Sequence, residues 1–112
     1  MKILIVDDER SIRNSLKEIL CDEGYDVDVA EDGATALAMV DKERYNVIFC
    51  DIKMPGIDGT EVLDKMVAEG IDSAIVMISG HGDIETAVEC IKKGAFDFIQ
   101  KPLDLNMILI TI

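Results

Sequence analysis

The order of β-prone and helix-prone segments is the feature that most restricts how this chain can fold. Five short runs have the apolar, β-branched composition of buried strands, and they span residues 3–7, 25–30, 46–51, 73–79 and 96–100. Amphipathic helical patterns lie between them, and the second to fourth helices are predicted at 33–43, 60–69 and 84–93. Strict alternation of strands and helices predicts a parallel sheet with helices on both faces.

Two strand orders are common for such a sheet when every crossover is right-handed, and five strands favour the order 2-1-3-4-5. We therefore predict an α/β, flavodoxin-like fold, a doubly wound sandwich around a five-stranded parallel sheet. A fifth helix is predicted to begin near Asp104. Because the chain stops at Ile112 on an apolar run, we expect this helix to be truncated and the protein to continue.

The helical patterns also predict which side chains face the core. The third and fourth helices are expected to bury the apolar residues Val62, Leu63, Met66, Val67, Ile84, Ala87, Val88 and Ile91. An aspartate precedes the second helix and another precedes the fourth, and both are predicted N-caps: Asp32 and Asp83.

Three aspartates follow two of the predicted strands. Asp7 and Asp8 end the first run and Asp51 ends the third. In the order 2-1-3-4-5 these two strands are neighbours, and their carboxyl ends meet where ligands bind in such sheets. Three carboxylates repel one another unless a cation or a proton is present, and oxygen ligands suit Mg²⁺. The alternative is that one of them caps a helix, which does not account for all three.

Two further polar residues end the fourth and fifth strands. Ser79 closes the fourth run, and Lys101 follows the fifth, just before Pro102. Taken alone, each is an ordinary loop residue. Together with a cation and an aspartate, a hydroxyl and an ammonium form a set that can position a phosphoryl group and neutralise it. An aspartate can itself be the nucleophile and form an acyl phosphate.

Charge and length limit the possible functions. The 112 residues carry 23 acidic and 11 basic side chains, a net charge of −12, so binding of nucleic acid by this domain is not expected. No apolar run approaches the roughly 20 residues of a membrane span. The start of the chain runs directly into a strand and leaves no room for a signal peptide, so a cytoplasmic protein without a membrane anchor is expected.

Four segments resemble those of response-regulator receiver domains: ILIVDDE (3–9), DIKMPGIDG (51–59), ISGHGDIETA (78–87) and AFDFIQKPLD (95–104). The resemblance covers nearly the whole chain and implies a CheY-like receiver domain over residues 1–112. It implies that Asp51 is the phosphoacceptor. Asp8, Asp51 and the backbone carbonyl of Lys53 would bind Mg²⁺, with Asp7 helping through water. Ser79 and Lys101 would contact the phosphoryl group.

The resemblance also implies a conformational switch. Ser79 would move toward the phosphoryl group and Phe98 would turn inward, although Phe98 can equally be an ordinary core residue. Lys53 and His81 would border the site and tune hydrolysis, or else point to solvent as loop residues. The family often has a cis bond before the proline, which makes Lys101-Pro102 a candidate.

Partners are implied in the same way. A sensor histidine kinase would donate the phosphoryl group. The homodimer is a separate prediction: the predicted fifth helix is unusually apolar, so self-association is expected through helix 4, strand 5 and helix 5. The sequence of residues 78–87 and 95–104 is similar to that of the nitrogen-regulation class of transcriptional activators. In that class a receiver domain is the N-terminal part of a longer regulator, with an output ATPase and a DNA-binding domain. Such a domain would not be an enzyme and would catalyse only its own aspartyl phosphorylation and dephosphorylation.

Three other functions fit the sequence less well. A phosphohydrolase of the haloacid dehalogenase type would place a second acid two residues after its nucleophile, where this chain has Lys53. A nucleotide or flavin binder would need a Gly- or Ser-rich loop after the first strand, where this chain has Asp7-Asp8-Glu9. A degenerate receiver that acts only as a scaffold has no need of the five site residues.

Overall fold

A computed structural model of the protein describes residues 1–80, 83–101 and 108. Its strands are β1 (Lys2–Val6), β2 (Asp26–Ala30), β3 (Val47–Asp51), β4 (Ala74–Ser79) and β5 (Asp97–Gln100). Its helices are α1 (Arg10–Asp22), α2 (Gly33–Lys42), α3 (Gly59–Ala68) and α4 (Ile84–Lys93). The bounds predicted for the strands and for α2 to α4 differ from these by at most one residue. The predicted fifth helix lies outside the described residues, except for Ile108, which is buried.

The sheet is parallel throughout and has the order β2-β1-β3-β4-β5, which confirms the predicted topology. Its register pairs Val6 with Cys50, Asp51 with Ile78, and Ser79 with Gln100. The carboxyl ends of β1, β3, β4 and β5 therefore lie at one edge of the sheet. No helix in the described part of the chain is long and apolar enough to cross a bilayer.

Alternate residues of the strands enter two separate cores, because successive side chains of a strand point to opposite faces. On one face, strand residues such as Leu4 and Ile48 pack with α2, α3 and α4. On the other face, Ile5 and Phe49 pack with α1 and with Ile108. Every residue of β3 is buried. This central strand fixes the position of the aspartate at its end.

The predicted inward faces of α3 and α4 are only partly correct. In α3, three predicted residues are buried, namely Val62, Leu63 and Met66, but Val67 is 44% exposed. In α4, the residues that face the sheet are the small Ala87 and Cys90. Its large apolar side chains are 38–42% exposed, contrary to the prediction for Ile84, Val88 and Ile91. The two sets form adjacent stripes on one helix, and the stripe of small side chains is the one that packs against the sheet.

The helix N-termini also differ from the prediction at one point. Asp32 caps α2 by accepting a hydrogen bond from the Thr35 N–H at 2.7 Å, as predicted. Asp58 caps α3 by accepting one from the Glu61 N–H at 3.0 Å. Asp83 occupies the N-cap position of α4, but its side chain accepts no hydrogen bond from any described amide of that helix. The predicted side-chain cap is therefore wrong, because the Asp83 carboxylate is engaged elsewhere.

Candidate functional site

The three predicted aspartates lie together at the carboxyl edge of the sheet. One carboxylate oxygen from each of Asp7, Asp8 and Asp51 lies within 4.8 Å of the others. Asp7 and Asp51 are buried, with 0% and 4% exposure, whereas Asp8 faces solvent. β1 and β3 are hydrogen-bonded neighbours, so this convergence follows directly from the strand order.

A lysine lies among these acids. The Nζ of Lys101 is 3.3 Å from Asp51 Oδ2, 3.9 Å from Asp7 Oδ2 and 3.4 Å from Glu9 Oε1. Its backbone N–H donates to the carbonyl oxygen of Ser79 at 2.8 Å, which holds the end of β5 against the end of β4. Lys101 thus supplies a positive charge beside two buried carboxylates. This position agrees with the prediction that Lys101 follows the fifth strand at the same edge of the sheet.

Burial and mutual repulsion set the acidity of this group. Burial, followed by repulsion from the neighbouring Asp7, raises the pKa of Asp51 to about 6 even though Lys101 acts in the opposite direction. Burial also raises the pKa of Asp7. Burial alone would lower the pKa of Lys101, but Asp51 and Asp7 raise it overall. The site holds more negative charge than Lys101 neutralises, and this excess favours a further cation.

Two buried polar atoms of the site have no hydrogen-bond partner among the described residues. They are Asp7 Oδ2 and Ser79 Oγ. The other oxygen of Asp7 accepts from the Glu9 N–H at 2.8 Å. Buried polar atoms in folded proteins almost always have a partner, so a water, an ion or a ligand bound at the site would supply the one that each of these atoms lacks. A carboxylate oxygen suits a hard cation, and a serine hydroxyl can donate to an anionic oxygen.

The start of α3 packs directly on the backbone of Asp51. A Cβ atom at Gly59 would lie 2.1 Å from the carbonyl oxygen of Asp51, which no side chain can tolerate. The Gly59 N–H donates to the Ile52 carbonyl at 2.7 Å. The glycine at this position therefore allows close contact between α3 and β3.

The remaining predicted residues lie farther from the carboxylates or outside the description. Phe98 is half-buried on the edge strand β5 and packs against the core beside α2, α3 and α4. The Lys53 ammonium forms an ion pair with Asp83, with Nζ 3.2 Å from Oδ1. The Lys53 side chain is 78% exposed, which agrees with the alternative that it points to solvent as a loop residue. His81 and Pro102 lie outside the described residues.

Sequence reasoning missed two acids that contact lysines of the site. Glu9 contacts Lys101, and Asp83 contacts Lys53. In the sequence, Glu9 is only a third acid after the first strand, and nothing there indicates a contact with Lys101. Asp83 was interpreted as a helix cap. Each of these contacts joins residues that are 30 or more positions apart in the chain, so it can be recognised only when the folded positions of the loops are known.

The chain matches the family model described as the response regulator receiver domain over residues 3–112. It belongs to this family. This receiver domain is 48% identical over 110 residues to the nitrogen assimilation regulatory protein NtrX of Azorhizobium caulinodans. The match covers 96% of this chain and 24% of that protein, so the receiver domain spans about a quarter of its relative's length.

Solved structures agree with this membership. The receiver domain superposes on the receiver domain of NtrX from Brucella abortus with a TM-score of 0.91 and 42% identity, covering 96% of this chain and 92% of the other. It also matches a structure of Brucella abortus NtrX in complex with ATP, with a TM-score of 0.90 and 41% identity. That match covers 97% of this chain and 25% of the longer one. The resemblance to the nitrogen-regulation class is thereby confirmed.

Proposed function

We propose that this receiver domain is a phosphorylation switch in which Asp51 accepts a phosphoryl group from a sensor histidine kinase. The observation that carries the proposal is the 3.3 Å contact between Lys101 Nζ and Asp51 Oδ2, at the edge of the sheet that also holds the unpartnered Ser79 hydroxyl. A nucleophile, a cation and a hydrogen-bond donor are the groups that phosphoryl transfer to a carboxylate requires.

In the proposed step, a carboxylate oxygen of Asp51 attacks the phosphorus of a phosphohistidine. The P–O bond forms as the P–N bond breaks, and the released imidazole nitrogen takes up a proton. The product is an acyl phosphate on Asp51. A pKa of about 6 leaves Asp51 mostly ionised at neutral pH, while making it more basic than an ordinary aspartate.

The chain's own residues would position the transferred group. Lys101 would neutralise phosphoryl oxygens, since its ammonium already lies beside the nucleophile. Ser79 would donate its hydroxyl hydrogen to one of them. Because the Lys101 N–H donates to the Ser79 carbonyl, the Lys101 ammonium and the Ser79 hydroxyl would both act from the carboxyl edge of the sheet.

Mg²⁺ is the proposed cofactor. Asp7, Asp8 and Asp51 would hold it together with the backbone carbonyl of Lys53. Two observations support this assignment: the three carboxylates cluster, and Asp7 Oδ2 has no hydrogen-bond partner among the described residues. When bound, the cation supplies neutralisation of the charge on the phosphoryl oxygens.

We propose further that Ser79 and Phe98 transmit the change to the face formed by helix 4, strand 5 and helix 5, through which the protein would form a homodimer. The exposed apolar stripe of α4, formed by Ile84, Val88 and Ile91, supports this assignment. Val88→Asp is expected to weaken self-association in sedimentation velocity, whereas Asp72→Asn at the opposite end of the sheet leaves it unchanged. A protein that stays monomeric with and without a phosphoryl mimic would contradict the dimer.

The whole protein is proposed to be a transcription regulator of the nitrogen-regulation class. Residues 1–112 would be its N-terminal receiver domain, followed by an output ATPase and a DNA-binding domain, all in the cytoplasm. The fourfold greater length of NtrX and its solved complex with ATP support this arrangement. With a net charge of −12, the receiver domain would leave DNA binding to the output domain and catalyse only its own phosphorylation and dephosphorylation.

Mass spectrometry tests the proposal directly. After incubation with Mg²⁺ and acetyl phosphate, the wild-type protein is expected to gain the mass of one phosphoryl group. Asp51→Asn should gain none, and Asp72→Asn, which removes an exposed acid far from the site, should gain it as the wild type does. No gain in the wild type, or a gain that persists in Asp51→Asn, would overturn the assignment.

A further inference from the structure

One buried carboxylate connects the loops that leave β3 and β4. Asp83 has a side chain that is only 7% exposed, and its Oδ1 lies 3.2 Å from the Nζ of the largely exposed Lys53. Its other oxygen, Oδ2, accepts a hydrogen bond from the Gly80 N–H at 3.1 Å. Lys53 follows Asp51 by two residues, and Gly80 follows Ser79 directly. Asp83 therefore links the neighbourhood of the phosphoacceptor to the neighbourhood of the serine.

This linkage leaves α4 without its side-chain cap. The capping residue of α3, Asp58, has an extended backbone with φ −79° and ψ 171°, whereas Asp83 has φ −102° and ψ 13°. Capping requires the extended conformation and directs the side chain to the amide of the third helical residue, which in α4 is Thr86. The Asp83 carboxylate thus has two sets of partners that it cannot hold together: Lys53 with Gly80, or the first turn of α4.

We propose that Lys53 and Asp83 form a charge latch that holds the Asp83 carboxylate away from the first turn of α4 in the unphosphorylated protein and opens when Asp51 is phosphorylated. The proposal rests on the proposed function, and it adds Asp83 as a positioning residue. A phosphoryl group brings roughly −1.5 to −2 charges to the vicinity of Lys53. The Lys53 ammonium then exchanges Asp83 for phosphoryl oxygens.

The burial of the two partners makes the exchange asymmetric. Lys53 is 78% exposed and sits on a flexible stem, so its movement requires little desolvation. Asp83 is buried, and a buried carboxylate that loses its cation is unfavourable unless it finds new donors. The first turn of α4 supplies those donors. Turning Asp83 toward α4 also releases the Gly80 N–H, and with it the residue beside Ser79.

A double-mutant cycle on a phosphoryl mimic tests the latch. The proteins are the wild type, Asp83→Asn, Lys53→Gln, the double variant, and Asp72→Asn as a remote control that also removes one acid. Asparagine can still accept from Gly80 and can still cap a helix, but it cannot pair with Lys53. Beryllium trifluoride with Mg²⁺ is titrated into each protein by calorimetry.

Opening the latch in advance should tighten binding of the mimic, because a larger fraction of the protein is then in the competent state. Asp83→Asn is expected to bind it about threefold to tenfold more tightly than the wild type. The double variant should bind as Lys53→Gln does, and Asp72→Asn as the wild type does. An equal tightening by Asp83→Asn with and without Lys53 would overturn the latch, because it would reflect only the removal of a negative charge near an anion.

Amide hydrogen exchange provides a second readout. The mimic is expected to slow exchange at the Thr86 amide in the wild type by about threefold or more, because Asp83 then caps α4. The amides of Thr35 and Glu61, whose helices are already capped, should not change. An unchanged Thr86 amide in a protein that binds the mimic would overturn the latch alone. A wild type that neither binds the mimic nor gains a phosphoryl group would overturn the proposed function and the latch with it.

Discussion

The neighbouring helices α3 and α4 both begin after an aspartate, but they differ in N-terminal capping and in the side chains that they bury. Each has ten residues, each follows an aspartate, and both pack on the same face of the sheet. α3 is capped by Asp58 and buries three large side chains. α4 has no side-chain cap from Asp83 and buries chiefly Ala87 and Cys90. The difference shows where the domain is rigid and where a small change in charge can alter its structure.

The contact between Gly59 and Asp51 explains why the rigid helix is α3. The first residue of α3 touches the backbone of Asp51 at the end of β3, so movement there would disturb β3 and the buried core beneath it. α4 begins five residues after Ser79, and its large apolar side chains are 38–42% exposed. Elements with few buried apolar contacts open at low free-energy cost. A response to phosphorylation is therefore expected to pass through α4.

The largest expected effect compares the apolar side chains of the two helices. Leu63→Ala in α3 should lower the free energy of unfolding by about 3 kcal/mol, because it leaves a cavity in the core. Val88→Ala in α4 should change it by about 0.5 kcal/mol or less, because Val88 is largely exposed. Urea denaturation of both variants measures the difference. Similar losses would show that α4 is as firmly packed as α3.

The second prediction compares the two acids at either end of the β3–α3 loop in metal-free protein. The pKa of Asp51 is raised to about 6, so its carboxylate is harder to form in the folded state than in the unfolded chain. The free energy of unfolding should therefore fall as the pH rises from about 4 to about 7, by up to about 3 kcal/mol. Denaturation in EDTA at a series of pH values measures this slope.

Asp58 provides the matched control for that slope. Hydrogen bonds from the Thr60 hydroxyl and the Glu61 amide lower the pKa of Asp58, so its stabilising effect is lost only as the pH falls below the ordinary range for aspartate. Asp51→Asn should reduce the slope between pH 4 and 7 to the part that the raised pKa of Asp7 contributes, whereas Asp58→Asn should leave it unchanged. Added Mg²⁺ should also reduce it, because a cation favours the ionised carboxylates. If the slope is undiminished in Asp51→Asn, other titrating groups produce it.

A smaller effect distinguishes the two helix N-termini. Asp58→Ala should destabilise the protein by about 1 kcal/mol and accelerate hydrogen exchange at the Glu61 amide, because it removes the cap of α3. Asp83→Ala should leave exchange at the Thr86 amide unchanged in the unphosphorylated protein, because no side-chain cap exists there to be lost. Faster exchange at Thr86 would mean that Asp83 already caps α4 in solution.

The smallest expected effect concerns the ion pair on the surface between the two helices. Lys93 Nζ in α4 lies 3.6 Å from Asp64 Oδ2 in α3, and both side chains are about half exposed. A double-mutant cycle with Lys93→Gln and Asp64→Asn should give a coupling of about 0.5 kcal/mol or less in thermal denaturation. A larger coupling would show that α3 restrains α4 through this pair.

The fold was predictable because the central strands are apolar on both faces. Such strands can be recognised in the sequence without knowing which other strands they pair with. β3 reads as a continuous buried run, and the strand order followed from the alternation of elements. The aspartates, Ser79 and Lys101 were predictable for the same reason: each stands at the end of a strand, and parallel strands end at one edge.

Two features were not predictable from the sequence. α4 carries two adjacent stripes, one of large and one of small apolar residues, and only the space left by the sheet decides that Ala87 and Cys90 face inward. The pairing of Lys53 with Asp83 depends on how two loops lie across one another. Hydrophobic periodicity contains no information about either, because it describes one element at a time.

The position of Lys101 in the chain has a consequence for synthesis. A ribosome delivers the three aspartates early, whereas the lysine that neutralises them follows the last strand of the sheet and is anchored through Ser79. Until that residue has emerged, the acids lack the positive charge that Lys101 supplies in the folded domain. The complete site is therefore expected to form only once the last strand has joined the sheet.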